Sequence, residues 1–418
     1  MNFYDGDKPG GIPGQLPPSA AGQYNWWEAG ALFGQMVEYW HYTGDDTWNA
    51  ATTEAMLFQA GPDSNFEPTN QSRTEGNDDQ AFWAFAAMSA AELKFPDPPP
   101  GQPQWLALAQ AVFNRQAARW DDANCGGGLR WQFNPLNNGW LNKNTISNSC
   151  FFQLAARLAR YTGNVTYAQW AEKAYDWLWS SQLINKDTFE VIIAGSAFMY
   201  NYTNGDQKWA DRLNGYLGNT QRVFFPQQFG GNIMTEWACE TVNNCNKDQR
   251  SFKAYLSRWL ALTVVMAPYK AETIMPWIQG SAVAAVKQCV PGPENAVGGP
   301  VACGRTWYSA QDDGTRDVGN QMTAMSIVQA NLITIAPPLA DEKTGTSTGD
   351  ASAGSGPDTP PTAADKLRTR EMTAADKAGA SIVTILVIGG TALLLFALLT
   401  EDLNLDQLFQ ARRRWHGS

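Results

Sequence analysis

Histidine is almost missing from this chain: 418 residues contain two, His41 and His416. His416 lies in a basic tail, and His41 closes a helical pattern in Trp40-His41-Tyr42, where a structural role is the simpler reading. A Ser-His-Asp triad and a multi-histidine metal site are thereby set aside, and nothing in the sequence calls for a metal or an organic cofactor. Charge is scarce too, at 17% of residues with a net of −10. Nucleic acid is not expected as a partner, because it needs a basic face. The six cysteines (Cys125, Cys150, Cys239, Cys245, Cys289 and Cys303) include no Cys-x-x-Cys pair. An even count without metal spacing suggests three disulfides and an oxidising compartment. Pairing neighbours in sequence gives Cys125–Cys150, Cys239–Cys245 and Cys289–Cys303, each stapling a loop to the adjacent helix. The Gly- and Pro-rich stretch from Met1 to Gln23 has no apolar signal core.

Aromatic residues, by contrast, reach 12%, with 18 Trp and 13 Tyr. Most belong in a helical core, but rings that stack on pyranose faces are a common second reason for such a count. Three Asn-x-Ser/Thr sequons, at Asn70, Asn164 and Asn201, agree with secretion.

From Trp26 the pattern is helical. Trp27, Leu32, Phe33, Met36, Val37 and Trp40 follow a 3.6-residue period. Tyr42-Thr43-Gly44-Asp45 and Tyr161-Thr162-Gly163-Asn164 are the same helix-ending turn, each followed by another helix. Helical hairpins repeated in this way predict an all-α fold, an (α/α)6 toroid, over residues 1–337. About eleven helices can be read where twelve are needed. The twelfth is expected before Met1, which would leave an apolar seam open on the helix from Trp26 to Tyr42. Two Gly- and Cys-bearing excursions, Cys125 to Lys143 and Phe229 to Asn246, interrupt the helices. The first contains Gly126-Gly127-Gly128 but lacks the Gly-Lys-Ser/Thr of a phosphate loop.

Residues 338–377 are rich in Thr, Ser, Gly, Asp and Pro and read as a disordered stalk. Residues 378–400 carry no charge and are about long enough to span a bilayer. Residues 401–418 form a polar, basic tail whose Arg412-Arg413-Arg414 favours the cytoplasmic side. The segment reads either as a membrane anchor or as a removable GPI-attachment signal. Either reading places the large domain at the cell surface.

The stretch of greatest chemical interest is Glu75-Gly76-Asn77-Asp78-Asp79-Gln80. Adjacent acids alone are weak evidence, since Asp45-Asp46, Asp121-Asp122 and Asp312-Asp313 are adjacent as well. Asp78 and Asp79 differ in following a Gly-Asn turn at the mouth of a helix. In mid-helix, neighbouring side chains diverge; at a helix start they can both face one cleft. The positive end of the helix favours an ionised nucleophile there, and two close acids force one to keep its proton.

Several motifs, in order, resemble glycoside hydrolase family 76: Trp26-Trp27-Glu28-Ala29-Gly30, Gly76-Asn77-Asp78-Asp79-Gln80, Cys125-Gly126-Gly127-Gly128-Leu129-Arg130-Trp131 and Lys143-Asn144-Thr145-Ile146-Ser147-Asn148. Cys245-Asn246-Lys247-Asp248-Gln249 and Phe252-Lys253-Ala254-Tyr255-Leu256 resemble its fungal branch of mannan endo-1,6-α-mannosidases. That branch includes membrane-anchored proteins implicated in joining GPI-glycoproteins to cell-wall glucan. The resemblance implies a retaining mechanism with Asp78 as nucleophile and Asp79 as acid/base. It also implies an α-mannoside or GPI-core glycan as donor and wall glucan as acceptor. Trp26, Trp27, Trp83, Trp131 and Trp140 are candidates for sugar stacking. Asn77, Gln80, Lys143, Asn144 and Asn148 are candidates for binding hydroxyls or an anionic phosphate, and Asp248 for lining the rim. A non-catalytic mannan-binding wall scaffold is the competing reading; it has no need of both aspartates.

Overall fold

The computed structural model describes residues 3–18, 24–184, 192–291 and 301–355, together with residues 377, 381 and 384–391. Helix boundaries follow local chemistry. In α1 (Trp26–Thr43), Asn25 and Glu28 form a capping box, and Gly44 ends the helix in the left-handed region at φ 72°. In α5 (Thr145–Thr162), Asn144 caps the start by accepting from the Ser147 N–H, and Gly163 ends it at φ 67°. The repeated Tyr-Thr-Gly turn of the sequence is thus a pair of glycine C-caps. Asn164 then caps the next helix, α6 (Val165–Ser180).

The remaining helices are α2 (Asn49–Gln59), α3 (Asn77–Glu92), α4 (Trp105–Ala118), α7 (Ile192–Tyr202), α8 (Gln207–Phe224), the single turn α9 (Trp237–Glu240), α10 (Phe252–Met266), α11 (Ala271–Lys287) and α12 (Val318–Ala330). Six of them, α1, α3, α5, α7, α10 and α12, pack each against the next, and α12 returns to α1. Around this ring lie α2, α4, α6, α8 and α11. The architecture is the expected (α/α)6 toroid. Inner helices are buried on all sides and so carry apolar residues all round. In α3 every residue from Gln80 to Glu92 is buried, six of them alanines that let neighbouring helices approach closely.

Among the described residues no helix fills the outer position between α12 and α1. The segment 3–16 covers it: Tyr4 packs edge-on against Phe33 at 5.2 Å. Leu32 and Met36 are buried, and only a pocket of about 30 Å³ remains between Phe3, Tyr4, Leu32, Met36 and α12. The open seam expected on α1 is therefore closed.

At the far end of the inner helices lies a buried ion pair, Arg157 to Glu92 at 2.6 Å, with Ser89 accepting a further guanidinium hydrogen bond. Residues 339–355 run across this end as a strap. Ala340 N donates to Glu92 O (2.7 Å), Glu342 N to Tyr161 O (2.8 Å), and Leu106 N to Ser347 Oγ (3.0 Å). This corrects the boundary drawn at 337. The beginning of the expected stalk is ordered, and the compact unit runs from Met1 to Thr359. Of the second unit, Pro360–Ser418, the described residues are helical and exposed. Among the described residues no helix is long and apolar enough to cross a membrane. The rest of 378–400, and all of 401–418, lie outside the described residues.

Cys239–Cys245 and Cys289–Cys303 are bonded. The second bond joins β1 (Cys289–Pro291) to β2 (Val301–Cys303), a two-stranded antiparallel ribbon. Cys125 and Cys150 are free thiols, contrary to expectation. Cys150 sits in the core on α5, while Cys125 is exposed on a turn with φ 53°. Nearness in sequence misled here because the inner helix turns Cys150 away from the loop. Of the sequons, Asn70 and Asn164 are exposed, and Asn201 is half-buried on the last turn of α7.

Candidate active site

Four inner helices, α1, α3, α5 and α10, begin around one cavity of about 850 Å³. Trp26 and Trp27 from α1, Asp78, Asp79 and Phe82 from α3, Ile146 from α5, and Phe252, Tyr255 and Trp259 from α10 line it. Their positive ends face a common space, which favours negative charge there.

Asp78 and Asp79 stand on the first turn of α3. Asp79 Oδ2 turns back to accept from the Gly76 N–H at 2.6 Å, while Asp78 Oδ1 accepts from Ser147 Oγ at 2.9 Å. The two side chains are thus held by different elements yet line the same cavity. The excursion 125–143 fixes this helix start. Asn77 N donates to Trp131 O (2.9 Å), Asn77 Nδ2 to Arg130 O (2.7 Å), and Gly76 pairs antiparallel with Gln132. A β-carbon on Gly76 would lie 2.6 Å from Asp78 Oδ1, so only glycine leaves that carboxylate its place.

Burial lifts the Asp78 carboxyl to about 6, against the pull of hydrogen bonds from Ser147 and Trp131. Asp79 is lifted well above its ordinary range, first by burial and then by the Asp78 charge, with smaller contributions from Asp248 and Glu28. The pair is thereby split in direction: the charge on Asp78 drives the proton of the pair onto Asp79. This is the split that a nucleophile and an acid require.

The other candidates separate into two groups. Trp26, Trp27, Trp131 and Asp248 line the cavity. Asp248 Oδ1 accepts from Asn25 Nδ2 at 2.8 Å. The remaining seven do not line it. Trp83 is fully buried, stacked on Phe33 and Phe66, and its indole donates to Trp26 O; it supports the cavity floor and has no face for a sugar. Asn77 and Gln80 are buried. Gln80 donates to Asn65 O and Glu67 and accepts from Arg119, which ties down the loop before α3. Trp140 lies under the Arg130 guanidinium at 4.6 Å. Lys143 Nζ is encircled by the carbonyls of Asp121, Asn124 and Gly127 at 2.7, 2.6 and 2.5 Å, leaving no role with phosphate. Asn144 is a helix cap, and buried Asn148 grips Leu129 through both N–H and C=O. These residues frame the site without lining the cavity.

Several residues were not singled out by the sequence. Glu75 is 2% exposed, lines the cavity, and is pushed well above the carboxylate range by burial, Glu67 and Asp79. Glu236 and Lys253 line the opposite wall, with Lys253 paired to Glu240 at 2.7 Å and set over the Trp307 ring. Glu28, buried beneath Asn25, is raised to about 7 by burial. A buried acid next to a tryptophan pair was the available signal for Glu28. Glu236 carried none, and Lys253 none beyond the Phe252-Lys253-Ala254-Tyr255-Leu256 motif.

A helical toroid whose open end holds two neighbouring buried carboxyls, both raised, in a ring-lined cavity defines a glycoside hydrolase. The chain matches Glycosyl hydrolase family 76 over residues 1–192 and 191–343 and belongs to that family. It is 41% identical over 413 residues to mannan endo-1,6-alpha-mannosidase DCW1 of Candida glabrata, and equally to that of Saccharomyces cerevisiae, covering 93% of this chain and 88% of each relative. The crystal structure of Dfg5 from Chaetomium thermophilum, in complex with glucosamine, is 43% identical with a TM-score of 0.78, over 85% of this chain and 92% of that one. The α-1,6-mannanase GH76A of Salegentibacter, at 15% identity and a TM-score of 0.57 over 77% of this chain and 93% of that one, shares the fold.

Proposed function

We propose that this protein is a retaining mannan endo-1,6-α-mannosidase, with Asp78 as nucleophile and Asp79 as acid/base. The observation that carries the reading is two adjacent carboxyls held in one cavity by different elements, Asp79 by Gly76 and Asp78 by Ser147, with Asp79 pushed up by the Asp78 charge. Asp78 attacks the anomeric carbon of an α-1,6-linked mannoside while Asp79 gives its proton to the departing glycosidic oxygen, leaving a mannosyl ester on Asp78. An incoming hydroxyl then attacks the same carbon, its proton passes to Asp79, and the Asp78 carboxylate is released. The names of the curated relatives support the substrate class.

The finer reading is that the incoming hydroxyl belongs to a sugar. Water is always abundant, so transfer requires an acceptor bound beside the intermediate. The aromatic wall of Phe252, Tyr255 and Trp259 gives an acceptor apolar faces to stack on. The donor is then the mannose core of a GPI-glycoprotein, the acceptor is cell-wall glucan, and the domain works at the cell surface, held through its C-terminal segment.

The test incubates the purified protein with a labelled GPI-core mannoglycan, with and without glucan oligomers, and identifies products by mass. A joined mannosyl–glucan product that disappears in Asp78→Asn supports transfer. Fast release of free mannan fragments, unaffected by acceptor, would leave an ordinary endo-mannanase. Roles within the pair are read from a donor with a good leaving group, which needs no acid. Asp79→Asn recovers the first step on it and Asp78→Asn does not.

A further inference from the structure

We propose that Ser147 and Trp131 are positioning residues for the nucleophile: together they hold the Asp78 carboxylate, and with Oδ1 taken by Ser147 the other oxygen, Oδ2, is the one that bonds to the sugar. The proposal rests on the assignment of Asp78 as nucleophile. Ser147 Oγ donates to Asp78 Oδ1 at 2.9 Å, and the Trp131 indole side chain is a second donor to the same carboxylate. Ser147 is fully buried, so water cannot stand in for its hydroxyl.

Its place is prepared by the polar neighbours in its motif that do not line the cavity. Asn144 Oδ1 takes the Ser147 N–H at 3.1 Å and fixes the first turn of α5. Asn148, one position beyond Ser147, holds Leu129 by N–H and C=O at 2.7 and 2.9 Å. Lys143 gathers the carbonyls of Asp121, Asn124 and Gly127. These bonds lock the 125–143 excursion, which carries Trp131, against the helix that carries Ser147. Both donors therefore arrive on one rigid frame.

The chemical consequence has a direction. A donor aimed at a carboxylate stabilises its charged form. Asp78 is charged before attack, becomes a neutral ester in the intermediate, and is charged again as the ester breaks. The two donors therefore keep Asp78 ionised at lower pH and stabilise it as a leaving group in the second step. With Oδ1 engaged, the carboxylate also cannot rotate, and the ester forms at a fixed oxygen.

Ser147→Ala and Trp131→Phe each remove one donor; the second keeps an aromatic ring at the cavity wall. In the full chain, kcat/KM is followed against pH on an activated mannoside, with the melting temperature as a check on folding. Each variant should raise the acid limb by about half to one pH unit and lower kcat about tenfold to a hundredfold, the range for a bond to a charged group. KM should change little. A merely structural role lowers activity evenly across pH. Acid limbs superimposed on the wild type in both folded variants would overturn the proposal. Full turnover by Asp78→Asn on the same substrate would instead remove the nucleophile assignment and the proposal with it.

Discussion

Gly76→Ala tests how tightly the cavity holds its nucleophile. Gly76 has φ −100° and ψ 167°, an extended conformation open to any residue, so alanine meets no backbone strain there. The difficulty is purely spatial. The added carbon would sit 2.6 Å from Asp78 Oδ1 and 3.0 Å from Trp131 O, where ordinary contact begins at 3.4 Å. Trp131 O is fixed by the Asn77 N–H, so the carboxylate must give way by about 0.8 Å, the gap between 2.6 Å and ordinary contact at 3.4 Å. A misplacement of about 1 Å costs a reacting group on the order of 100-fold in rate. The stability lost should be only about 1 to 2 kcal/mol, as for mild overpacking. The assay compares kcat and the denaturant midpoint of the variant with the parent. Gly218→Ala serves as control; that site is exposed on α8 with nothing within 4 Å of an added carbon, and it should gain about 0.5 to 1 kcal/mol with unchanged kcat. A Gly76→Ala enzyme retaining more than half of the parent kcat would show that the site tolerates this displacement, and the reasoning would fail.

Asp79→Asn should stabilise the protein near neutral pH while impairing catalysis. Burial raises the folded carboxyl well above the ordinary carboxylate range, so as pH rises past about 4 the unfolded chain ionises first and the folded state of the parent is penalised. The gain should therefore grow as pH rises and vanish below about pH 4, read from urea midpoints across pH; a gain independent of pH would contradict it. Activity should follow a bell, rising as Asp78 ionises through about 6 and falling as Asp79 loses its proton. Glu92→Ala strands the buried Arg157 guanidinium and should cost about 3 to 5 kcal/mol; a midpoint within 1 kcal/mol of the parent would mean the pair is solvated. Replacing Cys289 and Cys303 by serine opens a crosslink between residues 14 apart and should cost about 3 kcal/mol by chain entropy, visible as a lower urea midpoint under non-reducing conditions only.

The toroid was legible because its hairpins end in repeated glycine caps, a local signal that needs no tertiary context. The acid pair was legible for the same reason, as a turn residue followed by two carboxylates at a helix start. What failed was the assignment of side-chain direction. Trp83 and Trp27 look alike in sequence, yet α3 turns Trp83 inward to stack on Phe33 and Phe66, while Trp27 lines the cavity. Lys143, Asn144 and Asn148 are polar residues beside a helix start, and polarity alone does not say whether a group faces solvent, substrate or backbone. Here the excursion 125–143 has no regular pairing of its own beyond one bridge, so its carbonyls and N–H groups draw in those side chains. The strap at 339–355 was misread because its composition is that of a linker; its bonds to the ends of α3, α4 and α5 are made mostly by backbone, on which composition is silent.

That strap decides where force enters the molecule. It crosses the end of α3 at Glu92 and then runs along α4, where Leu106, Gln110 and Asn114 hold Ser347, Asp350, and Ala351 and Ala353, so a pull on the chain beyond residue 355 loads an outer helix before any inner one. Tension would first strip Ala353 and Ala351 from Asn114, then Asp350 from Gln110, then Ser347 from Leu106, then Glu342 from Tyr161, and only last Ala340 from Glu92. A domain tugged by its own tail would therefore shed the strap from α4 bond by bond before the load reached the inner helices that carry the carboxyls.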